Sequence, residues 1–310
     1  MMNNVLILMA TYNGEKYIKE QLDSIKIQTF KTWDLLISDD HSTDNTVNII
    51  LNEIKGLSNI RLIFNQGNKG ALGNFSYLVK NAKMYKYNYI MFCDQDDVWY
   101  EKKIELTLQE MISKEKEVGV ETPILVFSER ELVDSQLKVL NGRQIELQTG
   151  LLSVLAQNPI YGCTMMINKA LLNKAGNMPF YVQMHDYYYV LVAATYGVIT
   201  RIPVKLMKYR LHQDNVTGGI NNYSLLKKLD LWTKVNVAIN QMLEQNYYFC
   251  KYNMVNVISV AFLQMLQLKG FARLFKAYRI GYKKVGFFQT IRLYYVLFKF
   301  TVPPDGEGYR

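Results

Sequence analysis

Three carboxylates stand within four positions in Asp94-Gln95-Asp96-Asp97, directly after the apolar run Tyr89-Ile90-Met91-Phe92. Charges so close repel one another, and the end of a buried strand leaves them half desolvated, so such a cluster selects a cation. A second acidic pair, Asp39-Asp40, follows the apolar run Leu35-Leu36-Ile37. Carboxylate, amide and hydroxyl oxygens suit a hard divalent ion such as Mg²⁺ or Mn²⁺. A cation held by only one or two carboxylates completes its shell with water and a phosphorylated ligand. Asp94-Gln95-Asp96 therefore reads as the support for a metal–diphosphate.

The elements that must position these groups are legible in outline. Val5–Met9 is a continuous apolar run opening at Thr11-Tyr12-Asn13-Gly14, which reads as a buried strand and its loop. Ile18, Leu22 and Ile25 then recur at helical spacing. Leu35–Ile37 predicts a second strand ending in "SDDHSTDNT", where Ser42 or Thr43 can cap the next helix and Asp44 suits its positive end. Ile60–Phe64 predicts a third strand, followed by "NQGNKGALGNF" and a helical stretch to about Tyr85, and Tyr89–Phe92 a fourth. Strands alternating with helices predict parallel pairing in an open α/β sheet, whose ligands lie outside the carboxyl ends of the strands. Asn13, Asp39/Asp40 and Asp94/Asp96 then share one edge. Farther on, Ile124–Phe127, Tyr161–Ile167 and Val198–Leu211 read as strands, and "HDYYYVLVAATYG" as a helix beginning near Asp186. From Tyr223 to about Phe300 the pattern is helical.

Composition limits the alternatives. The 310 residues are 49% hydrophobic and 20% charged, enough apolar material for one large domain or a domain with an appendage. Three widely spaced cysteines without a CxxC pair suggest neither a disulfide framework nor a zinc site, and make a reducing cytoplasm the default. The N-terminus lacks a basic leader, and no segment offers roughly 18 uninterrupted apolar residues. The net charge of +9 is local. Residues 220–310 hold 13 Lys/Arg against 4 Asp/Glu, while the remainder balances at 23 of each. A basic C-terminal region rich in Tyr and Phe suits an anionic membrane surface. Lys269, Arg273 and Lys276 share one side of a helical projection there, and Leu274, Phe275, Tyr278 and Tyr282 another. No nucleic-acid module accompanies them, so nucleic acid is not expected as a partner.

Dinucleotide binding fails, because the first strand is followed by "ATYNGEKY" and not by G-x-G-x-x-G. The stretch "MATYNGEKYIKEQLDSIKIQTFKTWDLLISDDHSTDNT", followed by "FCDQDDVW", resembles the family-2 inverting glycosyltransferases of the GT-A fold, above all their rhamnosyltransferase-type bacterial members. The resemblance covers about residues 3–218 and rests on several motifs in the family's order. It implies a Rossmann-like, mostly parallel sheet flanked by helices in a catalytic domain over 1–219. The nucleotide-sugar half is about 1–120 and the acceptor half about 121–219, with a basic helical region at 220–310.

By the same resemblance, Ala10, Thr11, Tyr12 and Asn13 line the nucleotide pocket, and Asp40, with Asp39 beside it, lies near the pyrimidine. Asp94 approaches the ribose and the metal, next to Gln95, while Asp96 carries the metal that bridges the diphosphate. Lys69 and Asn74 are further pocket candidates. Asp186 takes the position of the catalytic base, and His212 in "YRLHQDN" that of a residue reaching the metal or diphosphate. Where many members have Glu-Asp, this chain has His185-Asp186, so acceptor contacts differ; His185 and Trp99 are the acceptor-side candidates.

The activity implied is Mn²⁺- or Mg²⁺-dependent, inverting transfer of a sugar to a growing bacterial surface glycan, free or lipid-linked, at the inner face of the membrane. L-rhamnose from dTDP-rhamnose is the first choice and a UDP-hexose the alternative. A sugar nucleotidyltransferase needs a Gly- and Arg/Lys-rich loop after the first strand, which "ATYNGEKY" does not supply. A non-catalytic glycan-binding protein has no need of both Asp96 and Asp186. Each motif also has a plainer reading: "DQDD" as a solvated turn, Asp39-Asp40 as a turn and cap, Asp186 as an ordinary helix cap, and the C-terminal helices as a solvated appendage.

Overall fold

A computed structural model describes residues 4–140, 148–212 and 225–304, with the side chains of 225–231 excepted. In chain order the elements are β1 (Val5–Thr11), α1 (Ile18–Lys26), β2 (Trp33–Asp39), α2 (Thr46–Glu53), β3 (Ile60–Phe64), α3 (Gly70–Ala82) and β4 (Tyr89–Cys93). Then come β5 (Val98–Trp99), α4 (Lys103–Val118), β6 (Ile124–Val133), α5 (Leu151–Ala156), a 3₁₀ turn at Gly162–Thr164, β7 (Met165–Asn168), α6 (Lys169–Ala175), α7 (His185–Tyr196) and β8 (Val198–Arg210). Four helices follow: α8 (Leu225–Tyr252), α9 (Val257–Gln267), α10 (Gly270–Arg279) and α11 (Phe287–Lys299).

The chain divides into two compact units. One takes Met1–Arg143, Ile160–Met178 and Met184–Ile220; the other takes Gln144–Pro159, Pro179–Gln183 and Asn221–Arg310. Two stretches well before the C-terminal helices thus fold with them. Asn246 on α8 and the Tyr282 hydroxyl both donate to the Leu155 carbonyl at the end of α5, and the Gln183 amide donates to Gln245 Oε1. These are contacts between residues far apart in the chain, so no local pattern announces them.

The first unit is built on an eight-stranded sheet of order β3-β2-β1-β4-β7-β6-β8-β5. Pairs β1–β2, β1–β4, β2–β3 and β6–β8 are parallel; β4–β7, β6–β7 and β5–β8 are antiparallel. The parallel half is apolar on both faces, as β1 shows with Val5, Ile7 and Met9 buried to one side and Leu6 and Leu8 to the other. Ile18, Leu22 and Ile25 of α1 close one side of the core, at the spacing the sequence predicts. The expected strand over Tyr161–Ile167 is only half a strand. The 3₁₀ turn consumes its first part, and β7 enters antiparallel between β4 and β6. The expected caps of α2 are also displaced. That helix starts at Thr46, Asp44 accepts from the Thr46 amide, and Ser42 and Thr43 bond instead to Asp39 and Asn13.

In the second unit, the basic stripe drawn from the helical projection does not survive folding. Arg273 is 2% exposed, and its guanidinium donates to the carbonyls of Leu266, Leu268, Leu297 and Phe300, gathering carbonyls at the C-terminal ends of α9 and α11. Tyr282 is likewise buried. Lys269, Phe275, Tyr278 and Arg279 remain exposed. Among the described residues, no helix is long and apolar enough to cross a membrane.

Candidate active site

The order β3-β2-β1-β4 reverses direction of build between β1 and β4, and outside that point lies a cavity of about 790 Å³. Its floor is made by the loops leaving β1, β2 and β4. Gln95 fixes the first of these to the third: its Nε2 donates to the Tyr12 carbonyl and its Oε1 accepts from the Tyr12 amide, both at 2.8 Å. A Cβ on Gly14 would come within 2.4 Å of Gln95 Oε1, so a larger residue there would have to displace the Gln95 amide from Tyr12. Asn13, at φ 49°, joins the first loop to the second, accepting from the Thr43 amide at 2.8 Å and donating its own amide to Ser42 Oγ at 2.9 Å.

The neighbours Asp39 and Asp40 do different work, because successive residues at a strand end point to opposite sides. Asp39 is fully buried. It accepts from Thr11 Oγ1 (2.8 Å), Ser42 Oγ (2.7 Å) and the Ser42 amide (2.8 Å), and does not line the cavity. Asp40 lines the cavity, and its carboxylate accepts from the backbone amides of Lys69 and Gly70 at the start of α3 and from Asn65. A carboxylate suits that positive helix end.

Asp94, Asp96, Asp186 and His212 all face the same cavity. His212 Nε2 lies 2.7 Å from Asp96 Oδ2, and the Arg210 guanidinium donates to the Asp96 carbonyl at 2.8 Å, so the end of β8 is tied to the loop after β4. Burial, then the charges of Asp96 and Asp186, push the Asp94 carboxyl up to about 7. Carboxylates and an imidazole are donor types that a divalent ion accepts, but the ligand atoms of Asp94, Asp96 and His212 do not all lie within 4.8 Å of one another. Asp186 is the second residue of α7. It accepts from the Tyr187 amide at 2.6 Å and the Gly162 amide at 3.2 Å, which orient its carboxylate at the cavity wall.

His185 stacks on Phe75 with ring centroids 3.8 Å apart and is 4% exposed, and burial pulls its imidazole down to about 3, so the ring is neutral. Asp94 also offers an oxygen within 4.8 Å of ligand atoms of Asp97 and Cys163. That inner group already has a cation. The buried Lys103 ammonium feels Asp97 and Asp94 and donates to the Cys163 carbonyl at 2.8 Å. Burial and the two aspartates push the Cys163 thiol well up, so it is a neutral thiol and a poor metal ligand.

Ala10, Thr11, Tyr12, Asn13, Asp40, Asn74, Asp94, Gln95, Asp96, His185, Asp186 and His212 therefore meet around one cavity. Three candidates do not. Asp39 is turned inward as described. Lys69 points to solvent and contributes only its amide, to Asp40. Trp99, expected on the acceptor side, is 1% exposed in the core, because β5 pairs with β8 and carries it inward beneath Lys103. Sequence reasoning missed Gly162, whose amide holds Asp186, and Arg210, which braces Asp96. A glycine opening a supposed strand and an arginine two residues before His212 were the available signals.

Known proteins share sequence and fold with this chain. Residues 6–172, more than half of the chain, match the family described as Glycosyl transferase family 2. The chain belongs to that family. Within glycosyl transferase family 2, it is 34% identical to the dTDP-rhamnosyl transferase RfbG of Shigella flexneri, over 68% of this chain and 74% of that protein. It is 29% identical to the UDP-Glc:alpha-D-GlcNAc-diphosphoundecaprenol beta-1,3-glucosyltransferase WfgD of Escherichia coli, over 83% of this chain and 95% of that protein. Among solved structures, the mannosyltransferase PcManGT from Pyrobaculum calidifontis, in complex with GDP-Man and Mn²⁺, superposes with a TM-score of 0.55. It shares 12% identity, over 89% of this chain and 74% of that one. S. aureus TarS 1-349 in complex with UDP-GlcNAc gives 0.52 at 18% identity, over 84% and 78%. These likenesses establish the fold: family-2 glycosyltransferase architecture of the GT-A type, with a helical C-terminal region.

Proposed function

We propose that this enzyme transfers a hexosyl group with inversion from a nucleotide-sugar to a glycan acceptor in bacterial surface polysaccharide synthesis, with dTDP-rhamnose as first-choice donor. The observation that carries the reading is the convergence of Asp94, Asp96, His212 and Asp186 on one cavity beyond β1 and β4. The 34% identity to a dTDP-rhamnosyl transferase supports the donor, while the likeness to a UDP-Glc enzyme supports a UDP-hexose as second reading.

The strand-end loops do the binding. The stretch Ala10–Asn13, held by Gln95 and Ser42, cradles the nucleotide, with Asp40 and Asn74 beside it. Asp94, Asp96 and His212 would hold Mn²⁺ or Mg²⁺, which when bound stabilises the negative charge of the departing diphosphate. Asp186 takes the proton from the acceptor hydroxyl as it attacks the anomeric carbon, a role typically worth about 10²–10⁴-fold in rate. The amides of Gly162 and Tyr187 keep that carboxylate aimed. A single displacement with one base inverts the anomeric centre. The neutral, apolar-walled His185 lies next to this base, on the acceptor side.

The second unit would bind an anionic membrane surface, holding the enzyme at its inner face near a lipid-linked acceptor. Exposed Phe271, Phe275 and Tyr278 on α10, and Phe287, Phe288 and Ile291 on α11, are interspersed with Lys269, Lys276 and Arg279. Aromatic rings and basic heads suit the lipid–water boundary, each basic residue contributing about 1 kcal/mol near anionic lipid.

Thermal shift across a panel of nucleotide-sugars with Mn²⁺ tests the donor, since a bound donor raises the melting point by mass action. The reading expects the largest shift with dTDP-rhamnose and release of dTDP. A shift with UDP-glucose alone selects the second reading, and no shift with any donor overturns both. Co-sedimentation with phosphatidylglycerol and phosphatidylcholine vesicles tests the membrane contact. Binding should need the anionic lipid and fall when Phe287 and Phe288 become Ser; equal recovery with both lipids contradicts it.

A further inference from the structure

The second compact unit holds a cavity of about 530 Å³ that the transfer reaction does not use. Lys283 and Lys284 line it together with Ser153, Gln157 and Thr290, and Phe287 forms part of its wall. No carboxylate lines it among the described residues. Lys284 is half-buried, and burial together with the nearby Arg292 charge pulls its ammonium below the usual lysine range. Neither ammonium group has an ion-pair or hydrogen-bond partner among the described residues, in contrast to Lys19 or Lys26, each paired with Glu53. A cation withdrawn from water without a counter-ion is unfavourable, so the missing partner is an anion that enters the cavity.

Two lysines, one of which also feels the Arg292 charge, match an anion of at least two negative charges, such as a phosphomonoester or a diphosphate, better than a phosphodiester. The surroundings say what carries it. Phe287 is 73% exposed, and its neighbours Phe288 and Ile291 are 80% and 49% exposed, so the cavity is continued by an apolar surface. A soluble anion gains nothing from such a surface, but an amphiphile does. We propose that this cavity binds the phosphate or diphosphate headgroup of a lipid, whose chain runs over Phe287 and Phe288. The proposal rests on the reading that this unit faces a bilayer.

Calorimetric titration of the full chain with farnesyl diphosphate, inorganic pyrophosphate and farnesol tests it. The titrations are run with chelator, so that no metal-bound diphosphate occupies the nucleotide cavity. One-site binding of farnesyl diphosphate is expected, at least tenfold tighter than pyrophosphate, with farnesol not binding. The Lys283→Gln/Lys284→Gln variant should lose at least tenfold, and Lys299→Gln, which lies outside the cavity, should not. An unchanged affinity in the double variant overturns the proposal; so does farnesol binding as well as its diphosphate, or pyrophosphate matching farnesyl diphosphate. The double variant's donor turnover and melting point should equal wild type, which separates a lost headgroup site from misfolding. Vesicle co-sedimentation of the same protein reports on the membrane reading. Failure there with farnesyl diphosphate binding intact removes the bilayer and leaves the site.

Discussion

Gln95 and Tyr12 exchange two hydrogen bonds of 2.8 Å, so the middle residue of Asp94-Gln95-Asp96 holds the backbone of the first loop while both aspartates line the cavity. Each such bond is worth about 0.5–1.5 kcal/mol, and 1.4 kcal/mol is tenfold. Gln95→Ala should therefore raise the donor KM by about tenfold while kcat changes far less, because Gln95 touches the loop and not the reacting atoms. Steady-state kinetics decide it; a kcat loss at constant KM would give Gln95 a direct role in the reaction.

Asp39 is expected to matter for stability. Asp39→Ala removes the acceptor of two half-buried Ser42 donors and leaves the buried Thr11 hydroxyl with only a 3.5 Å contact to the Ser38 carbonyl, at a cost of about 1–3 kcal/mol. Its melting point should fall by several degrees, with any donor effect following from the loosened loop. Asp40→Ala, by contrast, alters a residue that lines the cavity, and should weaken donor binding as well. A melting point of Asp39→Ala equal to wild type would contradict the inward orientation.

The crowded Asp94 gives the metal-free enzyme a pH signature. With its carboxyl raised to about 7, the folded protein keeps this proton between about pH 4 and pH 7, where the unfolded chain has lost it. Its contribution to stability therefore falls as pH rises through that window. In chelator, Asp94→Asn should gain melting temperature relative to wild type on going from pH 5 to pH 8. Mn²⁺ competes with the same proton, so its affinity for wild type should weaken below about pH 7. A pH-independent difference between the two proteins would contradict the assignment.

Arg273 and Lys276 should separate cleanly although the projection puts them on one side. Arg273→Ala removes a charged donor from four carbonyls, and one charge-assisted bond alone is worth roughly 1.5–3 kcal/mol. It should lower the melting point. Lys276→Ala should leave the melting point and reduce binding to anionic vesicles. The reverse pattern in melting and co-sedimentation would contradict this division.

The parallel half of the sheet and its loops were legible, because β1, β2 and β4 are buried on both faces and read as unbroken apolar runs ending in polar loops. What stayed hidden depends on distant contacts. Nothing in Tyr161–Ile167 marks where the 3₁₀ turn ends and β7 begins, since the antiparallel partners are Tyr89–Met91 and Leu125–Phe127. Trp99 sits in a two-residue strand whose partner, Met207, lies over a hundred residues on. Adjacent Asp39 and Asp40 look alike in sequence, yet strand alternation sends one inward. A helical projection groups Arg273 with Lys276 but does not say which side packs. His212 and Asp96, by contrast, each follow a readable strand, and their meeting at 2.7 Å needs only the shared sheet edge.

The central claim is that Asp186 is the base of a metal-assisted transfer, and it is tested by comparing wild type with Asp186→Asn for donor affinity and transfer rate in Mn²⁺. The account predicts transfer reduced by about 10²–10⁴-fold with donor affinity nearly unchanged, because this carboxylate acts on the acceptor hydroxyl and not on the nucleotide. Donor affinity that collapses while the residual turnover stays high would contradict it and leave Asp186 as a structural residue of the first turn of α7 alone.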